Sequence, residues 1–177
     1  MKETAVKRAL VVSLGGFGLF ALAGCSGSGQ AQDAADNLPN LEVQGLARID
    51  CADSTVWGGD LEPTRGPYVQ ECWRGAPELP FDEEADDIMY SILAATDAVD
   101  VTDAVCPQDA LYASAAVACR AANEGDVLYR VVVALTDPAT VVGTLPDEPT
   151  DEQIDDALAG AQVEVLVATQ EVPEATT

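Results

Sequence analysis

The sequence has no histidine and few basic residues of any kind. Its 177 residues include eight lysines and arginines against 31 aspartates and glutamates, a net charge of −23 at pH 7. Without histidine the usual general base near neutral pH is missing, and Ser-His-Asp or Cys-His catalysis is excluded. A strongly negative surface also repels nucleic acid and anionic lipid headgroups. The composition therefore argues against these enzyme classes and predicts no nucleic-acid partner.

The sequence also lacks an apolar run long enough to span a membrane, but a shorter run lies near its start. Residues 9–23 are apolar apart from one serine, and Lys2, Lys7 and Arg8 precede them. A membrane-spanning helix needs about 20 apolar residues, so this run is too short. Positive charge, then a short apolar run, then small residues is the order of an export signal.

The run ends in Leu22-Ala23-Gly24-Cys25, which resembles the lipobox of bacterial lipoproteins. The resemblance implies that residues 1–24 are a signal peptide and that acyl chains are attached to Cys25. The chain would then be anchored on the extracytoplasmic face of the cell membrane. An uncleaved anchor helix and an ordinary signal peptide cut near Ala23 are the alternatives.

Cysteine is scarce, and its count fits this interpretation. The chain has Cys25, Cys51, Cys72, Cys106 and Cys119. Lipid on the first leaves four, which can form two disulfides in an oxidising compartment. Spacing does not choose among the three pairings, of which the local one, Cys51–Cys72 with Cys106–Cys119, is the simplest. Zinc is disfavoured because there is no Cys-x-x-Cys pair, so we predict no metal and no cofactor.

Without residues 1–24, five basic residues remain, all arginines, against 30 acidic ones, a net charge of −25. Such acidity is typical of a solvated surface and also suits a cation or a basic partner. Paired carboxylates can hydrolyse glycosidic bonds. A small chain so rich in acids contains near pairs by chance, however, and we predict no catalysis.

The predicted fold class is α+β, with one helix packed on a small, disulfide-bridged antiparallel sheet. We divide the chain into a signal peptide (1–24), a flexible tether beginning Ser-Gly-Ser-Gly (25–40), a loop-rich segment containing Cys51 and Cys72 (41–80), an α+β domain (81–172) and a disordered tail (173–177).

Periodicity and turn chemistry place the elements. Acidic residues after Pro80 and an apolar stripe from Ala85 to Leu93 predict a helix. Thr150 and Gln153 are spaced as a capping box for another helix. The predicted strands cover residues 41–43, 68–73, 127–135 and 161–169, and a further strand starts at 99.

The only two tryptophans, Trp57 and Trp73, lie inside or beside the Cys51–Cys72 loop. They could form a binding surface, or they could pack against the disulfide that they flank, which is the more common outcome for such residues. Both interpretations remain open at this point.

A second resemblance involves Cys106-Pro107, Cys119, Gly125, Tyr129, Val131 and Val133. They read Cys-Pro-x11-Cys-x5-Gly-x3-Tyr-x-Val-x-Val, which resembles a small Cys-pair domain of unknown function found in actinobacterial lipoproteins. The likeness covers about residues 83–136. This sequence lacks the glycine that usually precedes the second cysteine of that domain, here Cys119.

The Cys-pair resemblance implies a Cys106–Cys119 disulfide and sheet positions for Tyr129, Val131 and Val133. It also implies a strand around residues 117–121, whereas the alanine-rich composition of residues 109–122 alone predicts a helix. Since the family has no known activity, it implies no catalytic residues.

These observations predict a monomeric, lipid-anchored module of the cell envelope that binds or interacts with another protein. A small-molecule or cation carrier and a passive acidic surface-coat lipoprotein are the alternatives.

Native mass spectrometry of the protein extracted from its own membrane tests this prediction. We expect a mass that starts at Cys25 and includes acyl chains, with a gain of four hydrogens when two disulfides are reduced. An unlipidated mass or free thiols would contradict it.

Overall fold

A computed structural model describes residues 29–56, 68–106 and 115–172. The predicted lipidation site, Trp57 and the tail lie outside these ranges. The elements are α1 (Gly29–Asp36), β1 (Leu46–Ile49), β2 (Tyr68–Gly75), α2 (Phe81–Ala95), β3 (Val99–Asp100), α3 (Thr102–Val105), β4 (Ala116–Glu124), β5 (Val127–Leu135), α4 (Pro138–Gly143), α5 (Asp151–Leu158) and β6 (Val163–Glu171), with a short 3-10 turn at Cys51–Asp53.

All six strands form one antiparallel sheet in the order β1-β2-β6-β5-β4-β3. The last strand in the sequence therefore lies between β2 and β5. Eight of its nine residues are buried, as expected for a strand that is covered on both faces. The α+β class and the antiparallel sheet are confirmed.

Helices α1 and α2 cover one face of this sheet, which we call the helix face. Trp73, Val165, Val133 and Ala118 lie side by side on it across four neighbouring strands. The α2 residues Ala85, Ile88, Met89 and Ile92 pack against this row. The periodic stripe predicted for α2 is thus confirmed as the contact between the helix and the sheet.

The opposite face carries both disulfides, and we call it the disulfide face. Cys72, Leu166, Val132 and Cys119 form one row across β2, β6, β5 and β4. Cys51 is bonded to Cys72 and Cys106 to Cys119, with Cα–Cα distances of 5.3 and 5.8 Å. The local pairing is therefore the one present, and each disulfide ties a flanking segment to the same row of the sheet.

The N-terminal part of the structure corrects the predicted flexible tether. Residues 29–36 form α1, and Ala31 on this helix is fully buried. Its small methyl side chain lets the helix backbone approach the sheet closely. The composition of residues 29–36 could not predict the contact between Ala31 and the sheet, because its alanines, glutamines and aspartates show no apolar periodicity.

The predicted boundary at residue 80 does not divide the sheet. Strands β1 and β2 come from the segment predicted to be loop-rich, and β2 pairs along its whole length with β6. The expected strand at residues 41–43 is absent; Leu41 and Val43 instead pack their side chains into the core. The first strand starts at Leu46, after a turn in which Gly45 has a φ of 78°.

Other local predictions are confirmed. The segment 117–121 is a strand, β4, as the Cys-pair resemblance implies, and Tyr129, Val131 and Val133 lie on β5. The β4–β5 turn contains Gly125 with a φ of 57°. Thr150 and Gln153 form a reciprocal capping box at the start of α5.

Candidate functional site

Of the two tryptophans, the structure places only Trp73, and it is only 3% exposed. The indole belongs to the helix-face core, and the guanidinium of Arg48 lies 5.8 Å from its ring centre. The proposed tryptophan binding surface is therefore wrong for Trp73, because β2 directs this side chain under the helices.

The acidic first turns of α2 have a structural partner. Arg120 on β4 donates to Asp86 from Nε at 2.6 Å and to Asp82 from Nη2 at 3.2 Å. These hydrogen bonds, first of all the one that Arg120 donates to Asp86, raise the pKa of Arg120. The cluster ties α2 to the sheet, and no group of three metal-ligating side chains occurs within the described residues.

A buried glutamate on β6 organises the segment that follows β1. Glu164 is completely buried on the disulfide face, and its carboxylate accepts hydrogen bonds from Nε and Nη2 of Arg74 at 2.9 and 2.6 Å. It also accepts from the Ser54 hydroxyl, from the backbone and hydroxyl of Thr55, and from the Val56 N–H. Arg74 further donates to the Asp53 carbonyl at 2.6 Å.

These donors decide the charge state of Glu164. Burial by itself would raise its pKa, but the hydrogen bonds from Ser54, Thr55 and Arg74 outweigh burial and lower the pKa. A carboxylate whose acceptors are filled by its own chain is held as a structural anion. Glu164 therefore anchors residues 54–56, while Arg74 holds the Asp53 carbonyl.

A groove of about 620 Å³ lies on the other side of the molecule, between α2 and the segment before β1. Its lining includes Leu41, Glu42 and Gln44 from that segment and Glu84, Asp87, Ile88, Tyr90 and Ala94 from α2. It combines apolar walls with three carboxylates, and none of the described residues that line it is basic. Tyr90 is 74% exposed.

Glu84 is the unusual residue of this groove. It is 2% exposed, and its Oε2 has no hydrogen-bond partner among the residues that the structure describes. Gln70 Oε1 and Glu171 Oε2 are also buried without a partner among the described side chains, but neither residue belongs to the lining of this groove. Native proteins pair nearly all such atoms, so each exception needs a physical reason.

The surroundings of Glu84 disfavour its charge. Burial, followed by repulsion from Asp87, raises the pKa of Glu84. A hydrogen bond from the Gln44 backbone N–H opposes the shift, and Glu78 adds further repulsion. Protonation would remove the charge that burial and Asp87 disfavour. A cation placed beside the Oε2 atom would satisfy it.

A second groove, of about 730 Å³, borders α1 and the β4–β5 turn. It is lined by the acidic residues Asp33, Asp97 and Glu124 and by Tyr129, whose hydroxyl donates to Glu124 at 3.3 Å. Burial and the neighbouring Glu124 raise the pKa of Tyr129 to about 12. The phenol therefore stays neutral and serves as a structural donor.

Sequence reasoning missed both buried glutamates, for different reasons. Glu84 precedes Ile88 by four residues and so lies on the edge of the α2 apolar stripe, a position that indicates burial. The interpretation of all the acidic residues as a solvated cap obscured this signal. Glu164 alternates with valines and would face solvent if only one face of the sheet were buried. The uninterrupted apolar run of Val131–Leu135 was the available hint that both faces are covered.

Comparison with known protein families, curated proteins and solved structures found no match. The resemblance to the Cys-pair domain therefore stays a prediction. Within the described ranges, no helix has the length and apolar character needed to cross a bilayer.

Replacing Glu164 tests its role as a structural anion. We expect Glu164→Gln to lower the free energy of unfolding by about 2 kcal/mol, since Arg74 and the Thr55 N–H lose a charged acceptor while Arg74 stays partly hydrated. The control, Glu71→Gln, removes the half-buried partner of the exposed Arg48 and should cost less than about 1 kcal/mol. Denaturant unfolding of both variants measures the difference.

The pH dependence supplies a second check. Because the folded pKa of Glu164 is lowered below its ordinary value of 4.5, its stabilisation is fully present above that pH and is lost as the pH falls through the folded pKa. The gap between wild type and Glu164→Gln should shrink in that window. A gap that is equal for Glu164→Gln and Glu71→Gln would contradict the assignment.

Proposed function

We propose that this chain is a lipid-anchored binding or protein-interaction module on the extracytoplasmic face of the cell membrane, with no catalytic role. The observation that carries the proposal is the groove beside α2, in which one oxygen of the buried Glu84 carboxylate has no partner among the described residues and which the exposed Tyr90 also lines. The lipobox-like sequence ending in Cys25 supports the location.

The stability of the fold does not require this arrangement. An unpartnered buried oxygen costs about 1–3 kcal/mol, and repulsion from Asp87 adds to the cost. Glu164 demonstrates that the same side chain can be fully satisfied elsewhere in the fold. A partner that pairs with Glu84 would offset the cost only in the bound state, which is the expected pattern for a binding site.

A small-molecule or cation carrier is the second candidate. The volume of the groove lies within the range of about 300–1,000 Å³ typical of ligand sites. A passive acidic coat is the third, and the exposed Tyr90 disfavours it, because aromatic residues are enriched at interfaces rather than on solvated surfaces.

Site-specific photocross-linking tests the proposal in the native envelope. Amine-reactive reagents are unsuitable because the only lysines are Lys2 and Lys7, within the predicted signal peptide. We expect a photoreactive residue at position 90 to give a discrete cross-linked species. The matched control is position 142, where Val142 is similarly exposed at 64% but lies on α4, away from the groove.

Equal labelling at positions 90 and 142, or none at either, would contradict an interaction through the groove. A cross-link at position 90 that disappears in Cys25→Ser would show that membrane anchoring brings the partner within reach.

A further inference from the structure

We infer that the groove beside α2 receives a basic side chain, preferably arginine, from a protein partner, with Glu84 as the carboxylate that pairs with it. The inference rests on the proposed binding function and adds the chemistry of the partner.

Charge complementarity at the groove points to a cation. Glu42, Glu84 and Asp87 contribute three carboxylates to its lining, and none of its described lining residues is basic. Arg48, Arg74 and Arg120 all pair with acids elsewhere in the chain. The groove acids therefore receive no compensation from these three arginines.

The apolar walls favour a cation carried on a hydrocarbon stem over a metal ion. Leu41, Ile88 and Ala94 can contact methylene groups, while Tyr90 at the rim can stack on a guanidinium plane. Arginine is also more weakly hydrated than lysine, so it loses less hydration free energy when it enters a desolvated site. The described residues contain no cluster suited to metal coordination.

The shape of the groove favours a side chain held by a protein over a free small cation. The lining residues of α2 run from Glu84 to Ala95, about 16 Å at 1.5 Å per residue. A single small ion would occupy only part of that length, whereas a polypeptide can follow it. Since Oε2 is buried, access requires movement of the side chains that cover it, and rotamer changes of exposed side chains take picoseconds to nanoseconds.

Pairing with a cation links binding to the ionisation of Glu84. Burial raises its pKa in the free protein, and a bound guanidinium stabilises the charged form. At pH values near this raised pKa, binding therefore releases a proton, and the affinity should fall as the pH decreases through that range. The acids that surround Glu84 are Asp87 on α2, Glu78 before α2 and Glu42 across the groove, and all of them favour a bound cation when ionised.

NMR titration of the folded protein with a short blocked peptide tests the inference. The peptide carries one arginine between glycines, and its control carries the neutral isostere citrulline. At about 0.15 M salt, which screens charge beyond about 8 Å, we expect saturable amide shifts in residues 40–44 and 84–91 with the arginine peptide alone.

Two isosteric variants separate Glu84 from general acidity. Glu84→Gln should weaken binding by about tenfold or more, because it removes a charge-assisted hydrogen bond. Glu83→Gln removes an exposed charge one residue away and should change the affinity less than about twofold. If Glu84→Gln does not fold, the loss of wild-type affinity with falling pH provides the same test.

Four outcomes would overturn the inference: equal binding of the citrulline peptide, equal losses in the two variants, a pH-independent affinity in the wild type, or binding of free butylammonium as tight as that of the arginine peptide.

If neither peptide binds but position 90 still gives a cross-link, this ligand assignment fails and the proposed function stands. If the arginine peptide binds but no cross-link forms, the ligand chemistry stands and the protein-interaction function fails.

Discussion

The insertion of β6 between β2 and β5 is the pairing on which the rest of the structure depends. This last strand hydrogen-bonds with both neighbours and places Val165 in the helix-face core and Leu166 in the disulfide-face core. It also carries Glu164, whose hydrogen bonds hold the segment after β1. Without β6, the strands on either side would have no common partner, and each disulfide would join only a local loop to its own half of the sheet.

Two buried glutamates respond to this scaffold in opposite ways. Glu164 lies near the start of the inner strand β6, accepts hydrogen bonds from four residues, and has a lowered pKa. Glu84 lies where α2 meets the segment before β1, has one oxygen that no described residue pairs with, and has a raised pKa. The contrast separates a carboxylate whose charge the fold stabilises from one whose charge it disfavours. The sheet holds α2 through Arg120, and with it the α2 wall of the groove.

A feature of this fold could be predicted from the sequence where it depends on residues that are close together in the chain. The stripe from Ala85 to Ile92, the capping box at Thr150 and the β-branched run of β5 depend on neighbouring residues and could be predicted. The docking of α1 depends on the close approach of Ala31 to the sheet, and the ionisation of Glu164 depends on donors about 110 residues away in the sequence. No periodicity encodes such contacts, and the burial of Glu84 depends on where residues 39–44 lie.

The most direct measurement is native-state hydrogen exchange across the sheet with both disulfides intact. If β6 unites the two halves, amides in β2 and β5 should open with the same free energy and the same denaturant dependence, because neither strand can be released alone. Opening of β1 and β2 at a clearly lower free energy than β4 and β5 would contradict this account. It would mean that the chain consists of two units that β6 does not join.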